Sequence, residues 1–219
     1  MNKVLIIAAH QDDEVLGCGA TIAKHSKNGD KVQVIFIADG FSSRDNTNNN
    51  RDNSATQVAK ILGCKKPIFA NLPDNQLDSI PLLEIVKKIE ITINDFLPNI
   101  IYTHHFGDLN IDHQITHKAV MTACRPQPNF CVKEIYSFEI LSATHWQSPS
   151  MGNVFIPNYF IDITGFMDKK IQALQCYDAE IREFPHARSY QTIQSMAKFR
   201  GSLIGIEIAE AFCVERLIK

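Results

Sequence analysis

The stretch Val4-Leu5-Ile6-Ile7-Ala8-Ala9-His10-Gln11-Asp12-Asp13-Glu14 decides the fold. Its apolar run, bounded by Lys3 and His10, has the length and branched side chains of a strand buried on both faces. A strand is covered on both faces only inside a sheet that carries helices on each side. The polar residues that follow therefore sit at the carboxyl end of a parallel strand, the edge where open α/β sheets bind ligands.

The same grammar repeats downstream. Val32 to Ala38 reads as a second buried strand, stopped by Asp39-Gly40, and Pro67 to Ala70, Ile100 to Thr103 and Glu134 to Ile140 read as further strands. Helical patterns fill the gaps at 14–28, 54–62, 82–96 and 115–123, while the Asn-rich stretch 41–50 reads as a loop. Alternating strands and helices predict a mostly parallel sheet with right-handed crossovers, an α/β fold. From about residue 158 the pattern changes. Helices are expected at 168–184 and 191–199, separated by Pro185-His186-Ala187-Arg188-Ser189, with a short apolar segment at 202–212. We read one domain over residues 1–219 with a helical C-terminal elaboration.

Composition narrows the function classes. Of 219 residues, 45% are hydrophobic and 21% charged, which suits a globular core and argues against disorder. The net charge of -2 and the lack of a basic stripe give no support to a nucleic-acid partner. No apolar run approaches the ~20 residues of a membrane span, and no signal-peptide pattern precedes His10. The six cysteines form no CxxC pair. These features together predict a reduced, cytoplasmic protein.

Chemistry concentrates in two places. In His10-Gln11-Asp12-Asp13-Glu14, an imidazole and three carboxylates follow a strand end. Zinc takes His nitrogen and Asp oxygen, and a catalytic site uses three protein ligands. His10 and Asp13 can share one ion across the turn, leaving Asp12 as general base. A single Asp here would more simply cap the next helix; the His three residues earlier favours the ion. The second cluster is His104-His105-Phe106-Gly107-Asp108-Leu109-Asn110-Ile111-Asp112-His113, with His117 beyond it. It is the source of a third ligand. Asp112 beside His113 can fix an imidazole tautomer. Gly17-Cys18-Gly19 invites a dinucleotide reading, but it lies inside a helical pattern and lacks the third glycine.

The segment AHQDDEVLGCGATIAKH resembles the AHPDDE signature of the PIG-L/LmbE family of zinc deacetylases, and THHFGDLNIDHQITHKAVMTACRP resembles that family's downstream HPDH-type motif. Arg51 with Leu62-Gly63, Leu72-Pro73-Asp74, Pro185-His186-Ala187-Arg188-Ser189 and Ala209-Glu210-Ala211-Phe212 extend the likeness over nearly the whole chain. The resemblance implies a Rossmann-like three-layer sandwich. It implies zinc on His10, Asp13 and His113, with Asp12 as general base and Asp112 tuning a neighbouring histidine. It implies Arg51 near the sugar or the carbonyl in the pocket. Other divalent transition metals suit the same donors.

Three positions depart from the pattern: Gln11 for Pro, Ser54 for Glu, and Asn110 for the first His of HPDH. Asn donates a hydrogen bond but carries no charge, so Asn110, His105 and zinc itself stand as candidate oxyanion donors. His186 and Arg188 are candidates for anchoring the tail over the pocket or for binding substrate, and His145-Trp146 for a substrate edge. The expected substrate is an N-acetylglucosamine-type amino sugar, such as a precursor of surface glycan or lipopolysaccharide. A thiol-cofactor precursor or acylated antibiotic is the alternative. A homo-oligomer is compatible with all of this.

Overall fold

The computed structural model describes residues 1–40, 42 and 51–219. Its elements run β1 (Lys3–Ala8), α1 (Asp13–Lys27), β2 (Lys31–Ala38), α2 (Arg51–Leu62), β3 (Ile68–Leu72), α3 (Leu82–Phe96), β4 (Ile100–His104), α4 (Ile111–Ala123), β5 (Glu134–Phe138), β6 (Tyr159–Asp162), α5 (Met167–Gln175), α6 (Tyr190–Ser202) and β7 (Ala209–Leu217). The expected loop at 41–50 lies outside the described residues, apart from Ser42.

The strands form a seven-stranded sheet in the order β3-β2-β1-β4-β5-β7-β6. All pairings from β3 through β5 are parallel. The period of two in each strand builds both cores. Val4, Ile6 and Ala8 of β1 join Val34, Phe36, Tyr102 and Phe138 against α1, α2, α5 and α6. Leu5 and Ile7 point the other way, with Ile35, Ile37, Ile101 and Ile135, against α3 and α4. Each such buried aliphatic side chain contributes ~1.5–3 kcal/mol, so slipping one strand by a residue would expose an entire set.

The chain leaves β1 for β2 and β3 on one side, then crosses back to β4 on the other. This reversal between β1 and β4 is a topological switch point, where parallel sheets open a crevice at their carboxyl edge. His10 follows β1, His104 ends β4, and both clusters read from the sequence open onto this crevice.

The tail differs from expectation. The predicted helix 168–184 stops at Gln175, because Tyr177 turns inward to meet Glu14. The apolar segment 202–212 straddles a turn and the start of β7. The elaboration is therefore not only helical: β7 pairs antiparallel with β5 and β6 with β7, completing the sheet. Among the described residues, no helix is long and apolar enough to cross a membrane.

Candidate metal centre and active-site cavity

The β1–α1 turn carries the densest chemistry, and its backbone is strained to do so. Asp12 occupies the N-cap of α1 at φ 132, a region unfavourable for a side-chain-bearing residue. Such strain costs about 1–3 kcal/mol and survives only where surroundings hold it. Here Asp12 O accepts from Val15 N and Leu16 N, and Asp12 N donates to Glu14 Oε2 at 3.0 Å. The Asp12 carboxylate makes no capping hydrogen bond, so helix capping does not explain it. Instead it pairs with Arg188 Nη1 at 3.0 Å. Burial pushes Asp12 up to about 6 against the pull of that guanidinium. Burial likewise raises Glu14 to about 8, although it accepts from the Tyr177 hydroxyl at 2.8 Å.

Asp13 turns inward and collects imidazoles. Its Oδ2 lies 3.2 Å from His10 Nδ1, 3.2 Å from His113 Nε2 and 3.5 Å from His104 Nε2. Burial alone would raise its pKa, yet His113 and His104 hold it well below the usual carboxylate range. The outer nitrogens of the two flanking imidazoles are fixed by other carboxylates. His113 Nδ1 meets Asp108 Oδ2 at 2.8 Å, and Asp108 in turn accepts from Thr144 Oγ1. His10 Nε2 meets Asp112 Oδ2 and Asp74 Oδ1, each at 3.1 Å. Asp112 is itself anchored by the backbone N–H groups of Asn75 (2.7 Å) and Leu77 (3.0 Å). A carboxylate behind a ligating histidine sets its tautomer and aims its inner nitrogen.

The donor atoms of His10, Asp13 and His113 lie within 4.8 Å of one another, all buried. Two overlapping triples, His104-Asp108-His113 and His10-Asp74-Asp112, meet the same distance. Hydrogen bonding separates them. In His10-Asp74-Asp112 the outer His10 Nε2 already faces both carboxylates, and in His104-Asp108-His113 the outer His113 Nδ1 already faces Asp108, with His104 Nδ1 left without a hydrogen bond. In the first, His10 Nδ1 and His113 Nε2 both converge on Asp13 Oδ2 at 3.2 Å, and Asp13 Oδ1 is buried with no hydrogen-bond partner. Unpaired buried polar atoms are rare and call for an explanation such as an ion. Two imidazoles and a carboxylate are a zinc donor set. The field also demands positive charge: burial opposes it, yet Asp13 and Asp108 lift His113 to about 9. The residues fit a divalent metal.

Other sequence candidates take distinct places. Asn110 caps α4, its Oδ1 accepting from Asp112 N at 2.8 Å and its Nδ2 donating to Asn75 Oδ1 at 3.3 Å. His105 turns away from the cluster: Nε2 meets the Asn153 carbonyl at 3.0 Å and its ring packs edge-on against Phe155. Arg51 braces the fold rather than lining the cavity. It donates to Gly40 O (2.6 Å) and Gln11 O (3.0 Å) and pairs with Glu180. His117 bonds the His104 carbonyl. Asp39 makes a turn with Ser42. Asp74 and Asp108, to which the sequence assigned no role, belong to the site behind His10 and His113.

Beside Asp12 opens a cavity of about 410 Å³, walled by Asn110, Ser142, Trp146, Glu180, His186 and Arg188 among others. That lies within the ~300–1,000 Å³ of small-molecule sites. Trp146 is 55% exposed and meets His186 edge to face.

Comparison with known proteins follows the same lines. The family model PIG-L, described as GlcNAc-PI de-N-acetylase, matches residues 5–124. An uncharacterized deacetylase, YaiS of Escherichia coli K12, is 30% identical over 162 residues, covering 72% of this chain and 80% of the relative. The diacetylchitobiose deacetylase of Thermococcus kodakarensis is 25% identical over 230 residues, covering 96% and 82%. The solved structure of N,N'-diacetylchitobiose deacetylase from Pyrococcus horikoshii gives a TM-score of 0.79 at 22% identity, over 98% of this chain and 84% of that one. This last likeness speaks for the fold alone.

Proposed function

This chain belongs to the PIG-L family of de-N-acetylases, and from that premise we propose that it removes the N-acetyl group from an N-acetylglucosamine-type amino sugar, using zinc held by His10, Asp13 and His113. The observation that carries the reading is the convergence of His10 Nδ1 and His113 Nε2 on the buried Asp13 carboxylate, whose Oδ1 has no hydrogen-bond partner, beside a strained Asp12. Deacetylase names among the relatives support the reaction class.

His10, Asp13 and His113 would hold the zinc, which when bound would supply Lewis acidity toward an acyl oxygen and a water. The chain's own groups do the rest. Asp108 holds His113 by Nδ1, which leaves Nε2 aimed inward. Asp112 does the same for His10 through Nε2. Asp12 accepts the proton of the attacking water. A carboxylate with a pKa of about 6 is largely ionised at neutral pH yet basic enough to hold that proton. As the C–N bond breaks, Asp12 returns the proton to the leaving amine, giving acetate and the free amino sugar. Trp146 and His186 wall the space where a sugar ring would lie, with Trp146 offering an apolar face. Arg51 acts here as a brace for the β1–α1 turn.

The size of the cavity suits a sugar conjugate such as a surface-glycan precursor. A zinc-loaded preparation offered N-acetylglucosamine, diacetylchitobiose and an acetylated non-sugar amine tests this by amine release. Turnover of the sugars is expected. Turnover of the non-sugar amide alone would move the reading to a thiol-cofactor precursor or acylated antibiotic, and release from none would end it.

A further inference from the structure

Amide hydrolysis places a negative charge on the acyl oxygen, and preorganised donors in a water-poor site stabilise it strongly. Several polar groups stand near the cavity, and most are committed elsewhere. Asn110 spends its oxygen on the α4 N-terminus and directs its amide to Asn75. His105 is turned to Asn153 and Phe155. Arg51 is held behind the turn by two backbone carbonyls and Glu180. Arg182 lines the cavity but places Nη1 on the carbonyls of Ala179 and Ile181.

Arg188 is also engaged, but its partners hold it in the cavity lining and against Asp12. It lines the same cavity as Asn110, and its Nη1 lies 3.0 Å from the Asp12 carboxylate and 3.9 Å from that of Glu180. It is held in place on several sides. Nε donates to Ser142 Oγ at 3.1 Å, the backbone N–H donates to His186 Nδ1 at 3.0 Å, and Ser189 caps α6 immediately afterwards. Its side chain is only 20% exposed, where a fixed positive charge acts far more strongly than in bulk water. Arginine keeps its charge at every working pH.

We propose that Arg188 supplies the positive charge to the oxyanion of the tetrahedral intermediate, a catalytic role brought to the crevice by the C-terminal segment rather than by the α4 N-terminus. Water oxygen adds to the acyl carbon, the C=O π pair moves onto oxygen, and the Arg188 guanidinium faces that oxygen. When the pair returns, the C–N bond breaks and the amine leaves with the proton held by Asp12. The resulting acetate carries its charge at the same place. This inference rests on the deacetylase reading for its kinetics but not for its anion site.

The test uses zinc-loaded full-length protein with Arg188→Ala, Arg188→Lys and the double variant Asn110→His/Arg188→Ala. It reads amine release from N-acetylglucosamine and acetate affinity by calorimetry. Loss of one oxyanion donor typically lowers kcat by about 10²–10³-fold. We expect Arg188→Ala to fall by that amount with KM moved only a few-fold, and its acetate affinity to weaken by about tenfold. Added guanidinium, or an imidazole at position 110, should restore about tenfold of the loss. Arg188→Lys should lie between, and serves as the readout if the alanine variant loses its zinc or its fold. A kcat within about threefold of the parent, an unchanged acetate affinity, or a loss that neither rescue reverses overturns the proposal. Weakened acetate binding in a protein that releases no amine would keep the anion site and end the deacetylase reading instead.

Discussion

Two clusters of buried charge border α1, and they are finished differently. Lys170 and Glu210 form one. Lys170 Nζ donates to Leu16 O at 2.9 Å and Glu210 Oε1 at 2.7 Å, while Glu210 accepts from Ala20 N (3.1 Å) and Thr21 N (2.7 Å). These are the backbone groups left over where α1 kinks at Cys18, whose φ of -148 and ψ of 26 are not helical. The other cluster, His10-Asp13-His113, turns two imidazole nitrogens onto one carboxylate and leaves Asp13 Oδ1 without a hydrogen-bond partner. A satisfied network repairs a break in the fold. An unsatisfied one waits for a ligand, since each buried unpaired polar atom costs about 1–3 kcal/mol.

The comparison can be broken from either side. The largest effect belongs to Asp12, which adjoins the unfinished cluster without joining it. Asp12→Ala should retain metal but lose about 10²–10⁴-fold in turnover, checked by metal content and kcat on one preparation. Near-normal rates would return the base to another group. Next comes the finished cluster. Glu210→Ala should cost about 3–5 kcal/mol of stability, because it strands a buried lysine, and should leave metal affinity intact. Denaturant melts give the first number and metal titration the second. Replacing the pair together, as Lys170→Met/Glu210→Leu, should still destabilise, since Ala20 and Thr21 lose their acceptor; a neutral result would show that the kink needs no repair.

A smaller effect sharpens the contrast within the metal site. Asp112→Asn and Asp108→Asn should each weaken metal binding about 10–100-fold without abolishing it, measured by competition with a chelator. The smallest concerns Glu139, which burial would raise but which His145 and Arg200 hold below its ordinary pKa. A depressed carboxyl contributes stability above its unfolded pKa and loses it as pH falls through the folded value. The stability gap between the parent and Glu139→Gln should therefore be full near neutrality and close in acid. A gap that widens on acidification would contradict the assignment.

The sequence made the parallel core legible because β1 is almost wholly apolar and β2 and β4 are predominantly so, and α3 came out at its observed bounds, Leu82–Phe96, from its amphipathic period. The C-terminal third was not legible. β6 has no fully buried residue and β7 is buried only in its first half, so neither shows the alternation of a two-faced strand. Predicted helix 168–184 was cut short by the Tyr177–Glu14 bond, a contact 163 residues apart that no local pattern encodes. The candidate site divides in the same way. His10, Asp13 and His113 stand beside strand or helix ends where motif spacing is informative. Asp74 and Asp108 sit in turns, where Asp is expected for backbone reasons alone, and the Arg188–Asp12 pair spans 176 residues.

Metal stoichiometry tests the central claim most directly. Parent, His113→Ala and Glu210→Ala proteins would be stripped with chelator, reloaded with zinc, desalted and assayed for ions per chain. One ion per parent chain, one per Glu210→Ala chain and well below one per His113→Ala chain is the expected pattern. A full equivalent retained by His113→Ala, or no ion held by the parent, would contradict it.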